Sequence, residues 1–110
     1  MKMLSKVEKA NWYRYRKAGS HLLSRCKVND FSWNPHNTLK HEAKKLEICD
    51  SLVRQGHKVI NEAVENKTGL RRDIVDLTTG VILEVETDKT RAKRFEGIKE
   101  VEVIELWKEE

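Results

Sequence analysis

The sequence predicts an α/β domain whose elements run α-α-β-β-β-α-β. Three observations carry that order. A capped amphipathic segment occupies residues 38–55, with a shorter helical segment before it at 5–18. Strand-like runs separated by turn residues fill 58–86. After a short helical stretch, an alternating run from Lys99 to Trp107 reads as a final strand. The 110 residues make one domain, with no internal repeat or low-complexity tract.

The elements follow in order. Ser5 can N-cap the first helix, Glu8 completes a capping box, and Gly19 can end it. Residues 20–36 are less regular. His21-Leu22-Leu23 can start a short strand or a helical turn, and Asn29-Asp30 and Asn34-Pro35 mark turns. Asn37 or Thr38 can cap the helix over 38–55, and Gly56 stops it. Wound at about 100° per residue, Leu39, Leu46, Cys49 and Val53 fall on one narrow face. Glu42 falls at the centre of that face. Burying an unpaired carboxylate is costly, so either the stripe opens into a cleft there or Glu42 has a cationic partner. Residues 58–64 form the first strand run and 71–77 the second. Thr78-Thr79-Gly80 is a tight turn, and residues 81–86 return as a hairpin partner. Residues 88–96 fit a short helix capped by Thr87 or Asp88, and the tail from Lys108 is expected to fray.

Composition narrows the function classes. Hydrophobic residues make up 38%, below the roughly 45–50% usual for globular domains, so the core is small and part of the chain is expected to pack on something else. No apolar run approaches the roughly 18 residues of a membrane span. The first six residues carry charge with no apolar stretch after them, which does not read as a secretory signal. Two cysteines give no disulfide framework. The expectation is a cytoplasmic or nucleoid-associated protein with reduced thiols and no small-molecule cofactor.

The net charge of +4 hides two opposite regions. Residues 1–40 hold nine Lys/Arg, among them Lys9, Arg14, Arg16 and Lys17, against two acids, a net of +7. The remaining 70 residues hold 13 bases and 16 acids, a net of −3. Five of the seven aromatics, Trp12, Tyr13, Tyr15, Phe31 and Trp33, share the basic region. Cations neutralise phosphates and planar rings stack on bases, so this segment suits nucleic acid. The alternative is a basic helix whose aromatics dock on the main domain. The expected organisation is a basic aromatic extension over 1–37 and an α/β core over 38–110.

The strands carry the chemistry. In Val81-Ile82-Leu83-Glu84-Val85-Glu86, alternation puts Glu84 and Glu86 on one face. An antiparallel hairpin then brings Asp73 beside residues 84–86. Three acids this close repel, and a divalent cation is the simplest compensation, since Mg²⁺ takes a few carboxylates plus water. The alternative is a solvated face paired to Lys58, Arg71 or Arg72. Asp76 reads as a surface acid near the turn. His21, His36 and His57 read as surface or loop residues. His41 is a weak candidate because it lies about 100° around the helix from Glu42. Cys49 reads as core.

The phrase Arg72-Asp73-Ile74-Val75 followed by Leu83-Glu84-Val85-Glu86, with Glu42 on the preceding helix, resembles the PD-(D/E)xK nuclease superfamily. Its restriction-endonuclease-like and archaeal Holliday-junction-resolvase-like members look closest. The resemblance covers about two thirds of the chain, residues 38–107. It implies a mixed β-sheet flanked by helices in the order α-β-β-β-α-β. It also implies Asp73, Glu84 and Glu42 as ligands for Mg²⁺, with Mn²⁺ as a substitute. Glu86 stands where the family usually has lysine, as in Glu-x-Glu members. Either Glu86 is then the general base, or Lys89 or Lys93 reaches in from the next helix.

These readings lead to a metal-dependent endonuclease acting on DNA, with catalytic residues Glu42, Asp73, Glu84 and Glu86. The cations expected on nucleic acid are Lys9, Arg14, Arg16, Lys17, Arg71, Arg72, Lys89, Arg91, Lys93 and Arg94. A homodimer is expected from the resemblance and from the low apolar fraction. The rival is an inactive nuclease-fold module that binds nucleic acid or a protein partner. A blander alternative is an α/β interaction protein that takes neither metal nor nucleic acid.

Overall fold

The computed structural model describes residues 4–19, 24–95, 97–98 and 100–106, and only the backbone of Lys89 and Thr90. It contains helix α1 (Lys6–Trp12), strand β1 (Tyr15–Lys17), helix α2 (Leu39–Arg54) and strands β2 (Val59–Glu65), β3 (Arg71–Asp76) and β4 (Ile82–Glu86). Helix α3 (Lys89–Ala92) runs into a 3₁₀ turn at Lys93–Phe95, and strand β5 (Val101–Glu105) closes the chain order. The expected runs 38–55, 58–64, 71–77 and 81–86 all appear within a residue or so. The expectations at His21-Leu22-Leu23, Lys99, Trp107 and the tail lie outside the described residues.

The sheet is five-stranded and mixed, in the spatial order β1-β2-β3-β4-β5. The first four strands are antiparallel neighbours, and β5 lies parallel to β4. A parallel neighbour needs a crossover, which α3 supplies. Thr78-Thr79-Gly80 turns the β3–β4 hairpin, with the Gly80 N–H donating to the Asp76 carbonyl at 2.7 Å and Gly80 at φ +81°.

The N-terminal segment differs from expectation. The capping box forms, with the Ser5 hydroxyl accepting from the Glu8 N–H and the Ser5 N–H donating to the Glu8 carboxylate. The helix nevertheless stops at Trp12 rather than continuing to residue 18. Tyr15–Lys17 pair with Ala63–Glu65 instead. Tyrosine favours an extended, half-buried strand, and the free edge of β2 outweighs helix propensity. The described part of this N-terminal segment therefore adds to the sheet and its core. Tyr15 and Cys26 lie in the core with Ile60, Ala63, Val75, Leu77 and Ile82, with Trp12 and Val28 packed against them.

Helix α2 covers the other face through Ile48, Cys49 and Leu52, which meet Val59, Ile74 and Leu83. Of the stripe expected to be buried, Cys49 is in the core but the rest is turned away. Leu39 is 77% exposed, and Leu46 and Val53 also face water. The buried positions are His41, Glu42, Lys45 and Cys49. Burial raises the Cys26 thiol to about 11 and that of Cys49 to about 12, so both are poor thiolates.

Helix α1 is tied to the β3–β4 turn. The Glu8 carboxylate accepts from the Thr78 hydroxyl at 2.7 Å as well as from Ser5. The Asn11 side chain donates to the Leu77 carbonyl at 2.8 Å. Glu8→Ala removes half of the capping box and leaves the half-buried Thr78 hydroxyl without that acceptor. The expected loss is about 1–2 kcal/mol in urea unfolding. A wild-type midpoint in the variant would mean that Asn11 and Trp12 hold α1 without Glu8.

Candidate active site

The sheet opens at Asp73. On one side, the β2–β3 register runs from Asn61↔Ile74 to Ala63↔Arg72 and omits the pair Glu62 and Asp73. Glu62 has φ +48°, a left-handed conformation that costs a non-glycine residue free energy and recurs at functional sites. On the other side, β3 and β4 pair only at Ile74↔Leu83 and Val75↔Ile82. Beyond that point carboxylates replace the ladder. The Asp73 N–H donates to Glu84 Oε1 at 3.0 Å, and the Val85 N–H donates to Asp73 Oδ2 at 2.8 Å. Two acids are thus fixed to each other's strands by their own side chains.

They line a cavity of about 230 Å³ with His41, Glu86, Thr87 and Arg91, among others. Glu84 is 6% exposed. Burial first, and then the charge of Asp73, push its carboxyl up to about 7, against the hydrogen bond from the Asp73 N–H. Burial also raises Glu86, with Arg94, 3.8 Å away, opposing.

His41 enters from the first turn of α2, where the Thr38 hydroxyl caps its N–H. Its Nε2 lies 3.5 Å from Asp73 Oδ2 and its Nδ1 lies 3.2 Å from Glu42 Oε2. Burial works to lower its pKa, but the two carboxylates outweigh burial and raise it. A ring between two acids is held toward imidazolium. His41 is the site residue that sequence reasoning set aside. The 100° offset from Glu42 puts it on the side of α2 that meets Asp73.

Glu42 does not join Asp73 and Glu84 in one ligand set. Its Oε1 accepts from the Asn34 N–H at 2.6 Å and from Lys45 Nζ at 2.8 Å, and its Oε2 accepts from Asn37 Nδ2 at 3.0 Å. Burial works to raise this carboxyl, but these donors hold it below its ordinary value. The cationic partner that its position called for is Lys45, one turn on. Lys45 has no exposed surface and also donates to Glu62 Oε2 at 3.0 Å and to the Ser32 carbonyl at 3.0 Å. Among the described residues, no three His, Cys, Asp or Glu side chains are gathered as a metal-holding group.

The expected nucleic-acid contacts are scattered. Arg91 lines the carboxylate cavity, and Lys17 and Arg71 line a larger neighbouring cleft. Lys9, Arg14 and Lys93 are exposed, and Arg94 reaches Glu86. Arg16 is half-buried and bonds the Asn66 side chain at 3.1 Å. Arg72 is 8% exposed and faces Glu65 at 3.7 Å, so it offers no surface for phosphate. The Lys89 side chain lies outside the described residues. Asp76 is also not the surface acid expected. It is buried, with Oδ2 2.6 Å from His57 Nδ1.

A pH dependence follows from Glu84. Its folded pKa, near 7, lies above the ordinary value of 4.5, so the fold favours the protonated acid. That contribution is complete below pH 4.5 and is lost as pH rises through 7, about 3 kcal/mol in all. Glu84→Gln keeps the hydrogen-bond acceptor without the charge. In EDTA, its stability relative to wild type is expected to rise between pH 5 and 8 in denaturant titrations. Parallel pH profiles for the two proteins would show that Glu84 carries no such strain.

No protein-family model, curated protein or solved structure matches the chain. Among the described residues, no helix is long and apolar enough to cross a membrane.

Proposed function

We propose that the protein is a metal-dependent endonuclease that hydrolyses DNA phosphodiester bonds, built on a restriction-endonuclease-like core of PD-(D/E)xK type. The observation that carries the reading is the opened sheet at Asp73, where Asp73 and Glu84 hold each other's strands beside a cavity. The order α-β-β-β-α-β around a mixed sheet over residues 39–105 also supports it.

Asp73 and Glu84 are the two carboxylates that would hold Mg²⁺ or Mn²⁺. The donor set fits. Mg²⁺ needs only one or two carboxylates and keeps its remaining positions for water and phosphate. The elevated pKa of Glu84 reflects burial first and then repulsion from Asp73, and a cation would offset both. Glu42 is a support in this reading rather than a ligand, because its oxygens are taken up by Asn34, Asn37, His41 and Lys45. When bound, the metal supplies acidified water and neutralises charge on the phosphate.

The remaining work falls to side chains of this chain. Glu86, made more basic by burial, accepts a proton from the attacking water. A new phosphorus–oxygen bond forms and the bond to the leaving oxygen breaks. His41, held toward its cationic form, faces the phosphate oxygens and can protonate the leaving oxygen. Arg91 adds positive charge at the cavity wall. A homodimer belongs to the same reading, since Leu39, Leu46 and Val53 leave a seven-residue-spaced apolar stripe exposed along α2.

The test is a panel of end-labelled DNA substrates (duplex, nicked, branched and four-way) incubated with Mg²⁺, Mn²⁺ or EDTA. Cutting is expected with either metal and none with EDTA. One observation favours a second reading. Glu86, where lysine is usual, is tied to Arg94, as an inactive binding module would allow. Salt-dependent DNA binding with no cutting on any substrate would select that reading.

A further inference from the structure

A second cleft adjoins the carboxylate cavity and is larger than it. It measures about 450 Å³, within the ~300–1,000 Å³ range of small-ligand sites. Its walls include Trp33, His36, Lys17, Arg71 and Glu62. His36 lines both cavities, so the two adjoin.

Trp33 is 58% exposed, an unusual state for the largest apolar side chain. It is nonetheless packed on one side. Phe31 meets it edge-on, with centroids 5.2 Å apart at 85°. Phe31 in turn packs on the core beneath α2 and lies 5.0 Å from the buried Lys45 ammonium. The ring rests against Phe31 and is presented to solvent. The charges around it favour an anion. Lys45 already pairs with Glu62 at 3.0 Å, and Arg71 lies 4.0 Å from the other Glu62 oxygen. That leaves Lys17 as further positive charge on a wall whose acid is neutralised.

We infer that this cleft takes one unpaired nucleotide of a DNA strand. Its base stacks on Trp33, and its phosphates meet Lys17 and Arg71 beside the strand that passes His36 into the carboxylate cavity. A paired base is stacked within its own helix and shows only its edges, so an exposed tryptophan selects an unstacked one. The inference rests on the nuclease reading for the strand's direction. It deepens that reading by naming the substrate class: DNA with a single-stranded branch or gap next to the scissile phosphate.

The experiment measures binding and not cutting. Fluorescence anisotropy in EDTA compares a labelled duplex with the same duplex carrying a single-stranded branch. Wild type is expected to bind the branched DNA more tightly. Trp33→Ala should weaken branched binding about tenfold or more and leave duplex binding nearly unchanged. Trp33→Phe should recover much of the loss, and thermal melts should show both variants folded. Equal affinity of Trp33→Ala and wild type for branched DNA overturns the inference. So does an equal loss on both DNAs, or a wild type that binds neither. Trp33-dependent binding without cutting on any substrate sustains the cleft assignment and removes the nuclease. Metal-dependent cutting with no Trp33 effect on binding does the reverse.

Discussion

Lys45→Met is expected to destabilise the protein by about 3–5 kcal/mol, the range for breaking one side of a buried ion pair. Lys45 has no exposed surface, and its ammonium lies within 3.0 Å of Glu42, Glu62 and the Ser32 carbonyl. Methionine nearly fills the space but leaves two carboxylates, 2% and 6% exposed, without the ammonium between them. A domain of this size has roughly 5–15 kcal/mol in total, so about a fifth or more is at stake. Urea titration measures the loss directly. Adding Glu42→Gln and Glu62→Gln should restore a large part of it, because apolar or neutral replacement of a whole buried ion group is often tolerated. A single variant as stable as wild type would show that water reaches the group.

Asp73→Asn and Glu84→Gln should each lower DNA cleavage by about 10³-fold, since loss of metal-assisted charge stabilisation removes several kcal/mol from the transition state. Both changes keep a carbonyl oxygen where the Val85 and Asp73 N–H groups donate, so the opened sheet keeps its hydrogen bonds. They remove charge and little else. The binding counterpart is a thermal shift. Mg²⁺ should raise the melting temperature of wild type by mass action and leave that of Asp73→Asn unchanged. Full cleavage by either variant would remove the two acids from the mechanism.

Much of the sheet was legible. Period-two alternation in residues 81–86 and the Thr78-Thr79-Gly80 turn set Glu84 beside Asp73, as the structure has it. Helix α2 was legible in extent but not in orientation. Of the apolar stripe Leu39, Leu46, Cys49 and Val53, only Cys49 is buried, and the rest of the buried face is built around charge. Hydrophobic periodicity cannot register an ion group whose members come from α2 and β2. The available signal was Glu42 and Lys45 one turn apart, with Glu42 already out of place among apolar residues. Strand β1 was illegible for a related reason. Three residues, Tyr15–Lys17, carry no pattern of their own, and only the edge of β2 makes them a strand.

Long-range docking of the N-terminal segment also sets an order of events in time. Glu8 bonds Thr78 across 70 positions, and Asn11 bonds Leu77 across 66. During synthesis, residues 5–17 therefore wait, with Trp12 and Tyr15 in water, until the β3–β4 turn has emerged. The β2–β3–β4 meander closes through short loops and can assemble first, whereas α1 and β1 carry the entropy of a long closure and join late. In that interval the β2 edge and the Ile60–Val75–Ile82 face stand uncovered. Aggregation during folding is then a race between strand addition from within the chain and from a neighbouring molecule.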